Sequence, residues 1–155
     1  MRIRKVAAVT MAACLAASAL AGCGSKKSDE KVIKIGVFEP TTGENGGGGY
    51  QEVLGIRYAN EMHPTVNIGG EEYAVRLVEV DNKSDKTEAV NAAQKLVSEK
   101  VSVVLGSYGS GVSIAAGQIF ADAKIPAIGC SCTNPQVTEG NDYYFRVCFI
   151  DPFQG

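Results

Sequence analysis

The chain has 155 residues, with 15 Lys and Arg against 17 Asp and Glu for a formal net charge of -2, and 45% of its residues are hydrophobic. The balance turns more acidic once three cations of an N-terminal leader are set aside, which excludes the basic face expected of a nucleic-acid partner. Of five cysteines, Cys14 and Cys23 fall in that leader, and the remaining Cys130, Cys132 and Cys148 are an odd set that cannot close into a disulfide framework.

In chain order, Arg2, Arg4 and Lys5 precede an apolar run from Val6 to Leu20 that ends in Ala21-Gly22-Cys23. Positive, apolar and small residues in that order make an export signal. The run is too short and alanine-rich for a membrane span, which takes about 20 strongly apolar residues. Leu20-Ala21-Gly22-Cys23 matches the bacterial lipoprotein box, so residues 1–22 are expected to be removed and the Cys23 thiol acylated, leaving the protein lipid-anchored at the outer face of a bacterial membrane. An ordinary secretory leader with an incidental cysteine is the alternative. Residues 23–31 then read as a polar tether, since Ser25 to Lys31 contain no apolar residue.

From residue 32 two periodicities alternate. Val32 to Phe38 reads as a largely buried strand, followed by a loop through Gly46-Gly47-Gly48-Gly49 and a helix from Tyr50 to Met62, stopped by His63-Pro64. Asn67 to Gly70 reads as a turn, and Tyr73 to Val80 alternates as a strand. Asp85-Lys86-Thr87-Glu88 resembles a helix start, with Ala89, Ala93, Leu96 and Val97 on one face behind it. Val101 to Leu105 is the next strand. The stretch Gly106-Ser107-Tyr108-Gly109-Ser110-Gly111 then opens a helix from about Gly111 to Ala123. Ile125 to Gly129 and Tyr143 to Val147 read as further strands. Strands separated by helices predict an α/β fold with a doubly wound parallel sheet and helices on both faces, in which binding sites lie beyond the carboxyl ends of the strands.

Three loops should therefore meet at one rim: 39–49, 106–110 and 130–135. The glycines of the middle loop run G-x-x-G-x-G with no following lysine, which fits neither a dinucleotide fingerprint nor a P-loop. Ser110 can instead cap the next helix, leaving the N–H groups of Gly111 and Val112 beside a hydroxyl, an arrangement that suits a carboxylate. In the third loop Ser131 and Thr133 add a carbonyl and a hydroxyl. Ordinary capping and turn chemistry accounts for the same residues. Cys130-x-Cys132 lacks a second pair of ligands and His63 is the only histidine, so small core or loop thiols are expected, with no metal and no cofactor. Glu39 and Asp81, near strand ends, suit solvated or capping roles. No nucleophile with a histidine partner and no carboxylate pair at a recognisable site is legible, so an exported enzyme is the least favoured reading.

Ile35-Gly36 with Thr42-Gly43, the helix of Gly55, Val80-Asp81, Gly106 to Ser113, Ile125-Pro126, Asn134 to Thr138 and Phe145-Arg146 through Asp151-Pro152-Phe153-Gln154-Gly155 resemble, in order and spacing, the branched-chain amino-acid-binding proteins of ABC importers, with the type I periplasmic-binding-protein fold. The resemblance implies that residues 32–155 form most of the first of two lobes, a fragment without the second lobe or hinge. It implies a monomeric substrate-binding lipoprotein that captures an amino acid and delivers it to ABC permease subunits; a sensory domain of the same fold is the alternative. It further implies that Ser110 and Gly111 bind the ligand α-carboxylate, that Ser131 and Thr133 contact its amino and carboxylate groups with Cys132 between them, and that Tyr108 walls the side-chain pocket. Two positions depart from the family. Gly48 stands where a tyrosine is common, and a disulfide seen in some members falls on Ser84 and Gly109, where none can form.

Overall fold

The computed structural model describes residues 31–154; the expected leader, Cys23 and nearly all of the tether lie outside them. Six strands form one sheet: β1 (Val32–Glu39), β2 (Thr65–Ile68), β3 (Glu71–Asp81), β4 (Val103–Leu105), β5 (Ala127–Gly129) and β6 (Tyr144–Arg146), in the order β2-β3-β1-β4-β5-β6. All neighbours are parallel except β2, which runs antiparallel to β3. The helices are α1 (Gly46–Met62), α2 (Lys86–Ser98), α3 (Ser110–Asp122) and a short α4 (Asp151–Gln154), with a 3-10 turn at Pro135–Val137.

Alternation along β1 decides which helix lies where. A Cβ on Gly36 would sit 3.1 Å from Leu96 and 3.2 Å from Val104, so Gly36 lets α2 approach the sheet, and Phe38, two residues on, lies in the same core. There its ring meets Phe120 of α3 edge-on at 5.5 Å, with Ala89, Ala93, Leu96 and Ala116 around them. Asp85 caps α2 by accepting from the N–H groups of Thr87 and Glu88 at 2.8 and 2.9 Å, as the acidic start of that segment predicts. The opposite parity, Ile35, Val37 and Glu39, faces α1. An open apolar groove of about 660 Å³ runs along this side, lined by Ile35, Ile56, Val75, Leu77 and Leu105 and reaching Glu52 and Cys130 at one end.

Two expectations fail. The glycine run is not a loop but the first turn of α1, because Gly49 packs where a Cβ would lie 2.2 Å from the Pro40 carbonyl oxygen; close approach of the helix to β1 demands glycine despite its low helix propensity. The turn read over Asn67 to Gly70 shrinks to Gly69 and Gly70, with φ of +61 and +86, while Thr65 to Ile68 pairs with β3. Consecutive left-handed residues make the tight turn whose twist suits a hairpin. The sequence on either side is too polar to announce the strand.

The order also fixes where a ligand can sit. From β1 the chain passes along the α1 face to β3, then returns through α2 on the other face to β4. The two crossovers diverge between β1 and β4, and doubly wound sheets open a crevice at such a point, beyond the carboxyl ends of the strands.

Candidate functional site

Glu39 ends β1 and Leu105 ends β4, so the three predicted loops do gather at this crevice. The first is stitched to the end of β3. Asp81 accepts from the N–H of Thr41 at 2.9 Å and the hydroxyl of Thr42 at 2.6 Å. Burial pushes the Asp81 carboxyl up, but hydrogen bonds from the Thr42 hydroxyl and from backbone N–H groups of Lys83, Thr41 and Thr42 outweigh it and hold the group below its ordinary value. Ser84, at a departing position, accepts from the N–H of Asn45 at 2.9 Å, so a hydrogen bond now fixes the loop there.

The middle loop rests on a buried polar network. Gly106 has φ +120, and its carbonyl accepts from the Tyr144 hydroxyl at 2.8 Å. Burial, the largest influence, pushes the Tyr144 phenol far up, so it stays a donor. The Asn82 side chain donates to the Ser107 hydroxyl at 2.9 Å, and the Ser113 hydroxyl donates to the Gly109 carbonyl at 3.1 Å. The N–H of Tyr108 donates to Glu39 Oε2 at 2.7 Å.

These anchors present the start of α3. Its N-cap is Gly109, in extended conformation, and no side chain caps it. Ser110 is the first helical residue rather than the cap expected from sequence, and its hydroxyl accepts from the N–H of Asn134 at 3.3 Å. The middle and third loops are thus joined directly, while the leading N–H groups of α3, those of Gly111 and Val112 included, keep the partial positive charge of an uncapped helix end. Gly111 is exposed. Ordinary capping by Ser110 no longer explains this segment.

Arg146, at the end of β6, shapes the third loop. Its guanidinium donates to the carbonyls of Cys132, Asn134 and Pro135 at 2.9, 3.0 and 3.0 Å and to the Thr138 hydroxyl at 2.8 Å. Ser131 donates its hydroxyl to Glu52 Oε1, leaving its lone pairs as acceptors. Thr133 is half-buried, and its carbonyl accepts from the N–H of Asp151 at 3.0 Å. The Cys132 side chain is fully buried against Gly129, so among the expected site residues it can approach a ligand only through its backbone. Cys130 is likewise a packed thiol, pushed up to about 12 first by burial and then by Glu52 and Glu39.

Tyr108, 41% exposed, lies over α1: a Cβ on Gly48 would fall 2.5 Å from its ring. The space that a side chain at position 48 would take is therefore occupied by the Tyr108 ring, and glycine at 48 makes room for it. Sequence reasoning missed this exchange, as it missed Arg146, Asn82 and Glu52 as shapers of the site. It also took Glu39 for a solvated or capping group and found no carboxylate pair, whereas Glu39 is buried and lies against Glu52. A glutamate closing an apolar strand was the available signal.

A family model described as periplasmic binding protein matches residues 32–153. A Leu/Ile/Val-binding protein homolog 1 of Brucella abortus is 35% identical over 141 residues, which cover 90% of this chain and 37% of that relative. The crystal structure of a leucine binding protein, LivK, from Thermotoga maritima superposes with a TM-score of 0.74 at 43% identity, covering 79% of this chain and 34% of its own. The branched-chain amino acid transporter substrate binding protein LivJ of Streptococcus pneumoniae, solved with isoleucine, gives a TM-score of 0.70 at 33% identity over 78% of this chain and 35% of its own. The chain thus spans about a third of the length of these proteins.

Proposed function

The chain belongs to the periplasmic binding protein family, and on that premise we propose that it is the ligand-capturing component of an ABC importer, with residues 32–155 supplying the first lobe's share of an amino-acid site. The observation that carries this reading is the uncapped start of α3 at the crevice between β1 and β4. An α-carboxylate there accepts from the N–H groups of Gly111 and Val112 and from the hydroxyls of Ser110 and Thr133. Ser131, whose proton is committed to Glu52, can only accept, which matches a ligand ammonium. Tyr108 offers an apolar ring to the ligand side chain, and Cys132 contributes backbone alone. The similar proteins include a Leu/Ile/Val-binding protein homolog, a leucine binding protein and one solved with isoleucine, so leucine, isoleucine and valine are the first ligands to test.

Calorimetry with leucine and leucinamide tests the site. The amide turns N–H donors towards N–H donors and lacks the charge, so its binding should be weaker by about 1.5–3 kcal/mol, roughly 10- to 150-fold. Ser110→Ala and Thr133→Ala should each lower leucine affinity in a folded protein, and Gly111→Val should do so by crowding the ligand off the backbone. Equal affinity for acid and amide would place the ligand elsewhere.

Anchoring by lipid at Cys23 belongs to the same proposal. One acyl chain holds a protein only marginally, whereas the diacylglycerol added to a lipoprotein supplies two. Cys23→Ser should therefore shift the protein from washed membranes to the soluble fraction. A variant that stays in the membranes with its leader attached points to the leader itself as the anchor.

A further inference from the structure

Glu39 and Glu52 come from different elements and meet at the crevice. Glu39, the last residue of β1, is 1% exposed, and Glu52 reaches it from α1. The two side chains and Cys130 Sγ place one atom each within 4.8 Å of one another. Glu39 Oε1 and Glu52 Oε2 are both buried and have no hydrogen-bond partner. Two buried, unpartnered carboxylate oxygens this near each other are costly when both are ionised, and a proton between them removes one charge and supplies the missing donor. The remaining oxygens point outward from the pair: Glu39 Oε2 accepts the N–H of Tyr108, and Glu52 Oε1 accepts the hydroxyl of Ser131.

We propose that Glu39 and Glu52 share one proton, donated from Glu39 Oε1 to Glu52 Oε2, and that this protonated pair is a positioning device tying the Tyr108 loop to the Ser131 loop, so that amino-acid binding depends on the proton. The coupling to binding rests on the reading that these loops hold the ligand; the shared proton itself does not. Burial first, then the hydrogen bond and charge of Glu52, raise Glu39 from 4.5 to about 10 against the N–H of Tyr108. Losing the proton would leave two anions facing each other in a buried site, and their repulsion would pull Glu39 from Tyr108 or Glu52 from Ser131.

Among the described residues the surroundings supply no cation that could take the proton's place. Beside the pair stand the thiol of Cys130, the phenol of Tyr144 and the neutral side chains of Asn82 and Ser107. The cleft that Glu39 lines also holds Tyr50, Asp81 and Arg57, but Arg57 is committed to Glu79 at 2.6 Å. His63 shares the groove with Glu52, at the far end of α1. Since the folded chain keeps a proton that the unfolded chain releases above 4.5, the contribution of Glu39 to stability is fully present below that pH and is lost as the pH rises towards about 10.

Carboxyl-carbon NMR of the chain from pH 5 to 10, with leucine titrations at the same pH values, tests this in wild type, Glu39→Gln and Glu39→Ala. The wild type should keep one neutral glutamate at pH 7 that Glu39→Gln lacks. Its Tyr108 amide signal should move as that group ionises on the alkaline side, together with a several-fold loss of leucine affinity. Glu39→Gln, which can still donate to Glu52 and accept from Tyr108, should recover most of the affinity that Glu39→Ala loses and show no such break; any alkaline loss due to the ligand's own ammonium is common to both and cancels. Two ionised carboxylates at pH 7 would overturn the proposal. So would stoichiometric uptake of zinc or calcium that expels the proton, which would make the cluster a cation site. A neutral glutamate whose ionisation moves the Tyr108 amide, in a wild type that binds no amino acid at any pH, would sustain the shared proton and sink the proposed function instead.

Discussion

Gly106→Ala is expected to lower stability by at least about 3 kcal/mol, because strain and collision coincide at one residue. Gly106 sits at φ +120, where a side chain is already unfavourable, and its Cβ would fall 2.2 Å from the Phe38 carbonyl oxygen and 2.6 Å from Glu39 Oε1. The first contact is backbone of β1, between β3 and β4 in the sheet, and it cannot yield without moving the rows on either side. Gly140 provides the comparison. It also has positive φ, +69, but a Cβ there would meet nothing within 4 Å, so Gly140→Ala should cost only the strain, about 1–2 kcal/mol. Urea unfolding of the two variants separates the terms. Equal midpoints for both would mean that β1 and the middle loop part easily, and that the polar network around Ser107 contributes little to holding them.

Arg146→Ala should cost about 2–4 kcal/mol, since it removes one end of four charge-assisted hydrogen bonds in a half-buried loop. The donors go to Cys132, Asn134, Pro135 and Thr138, and the loop would retain Asn134 accepting from the N–H of Gln136 at 2.9 Å and the bond from Asp151 to Thr133. Amide exchange over residues 131–138 should quicken, and under the proposed function leucine affinity should fall with it because Thr133 and Ser131 lose their fixed positions. Arg146→Lys should restore only part of the loss, an ammonium being unable to span the same fan of carbonyls. Wild-type exchange rates across the loop in Arg146→Ala would show that it stands without the guanidinium.

The structure also sharpens the chemistry assigned to the rim. A serine at position 110 could have been a cap, and the sequence alone left capping and ligand binding open. The extended Gly109 and the bond from Asn134 to Ser110 decide against the cap, since the hydroxyl is held towards the third loop and the helix N–H groups are not satisfied by it. Gly48 gains its meaning in the same way. Its lack of a side chain is uninformative until Tyr108 is found lying across it.

The sequence by itself determined what lies within a few residues of its cause. The helix start at Asp85, the helical face of Ala89, Ala93 and Leu96, the buried strand at Val32 to Phe38 and the alternation of Tyr73 to Val80 are local patterns for which hydrophobic periodicity with turn chemistry suffices, and the family resemblance from Ile33 to Gly155 rests on the order and spacing of such short stretches. Only the tertiary structure decided the pairings between segments distant in sequence. Glu39 against Glu52, Tyr108 over Gly48, Arg146 around the third loop and the strand at Thr65 to Ile68 each depend on which strands lie side by side. The physical reason is that a buried carboxylate, an unoccupied Cβ position or a polar edge strand has no local signature. Its free energy is set by the partner that the β1–β4 switch point brings within hydrogen-bonding or van der Waals distance.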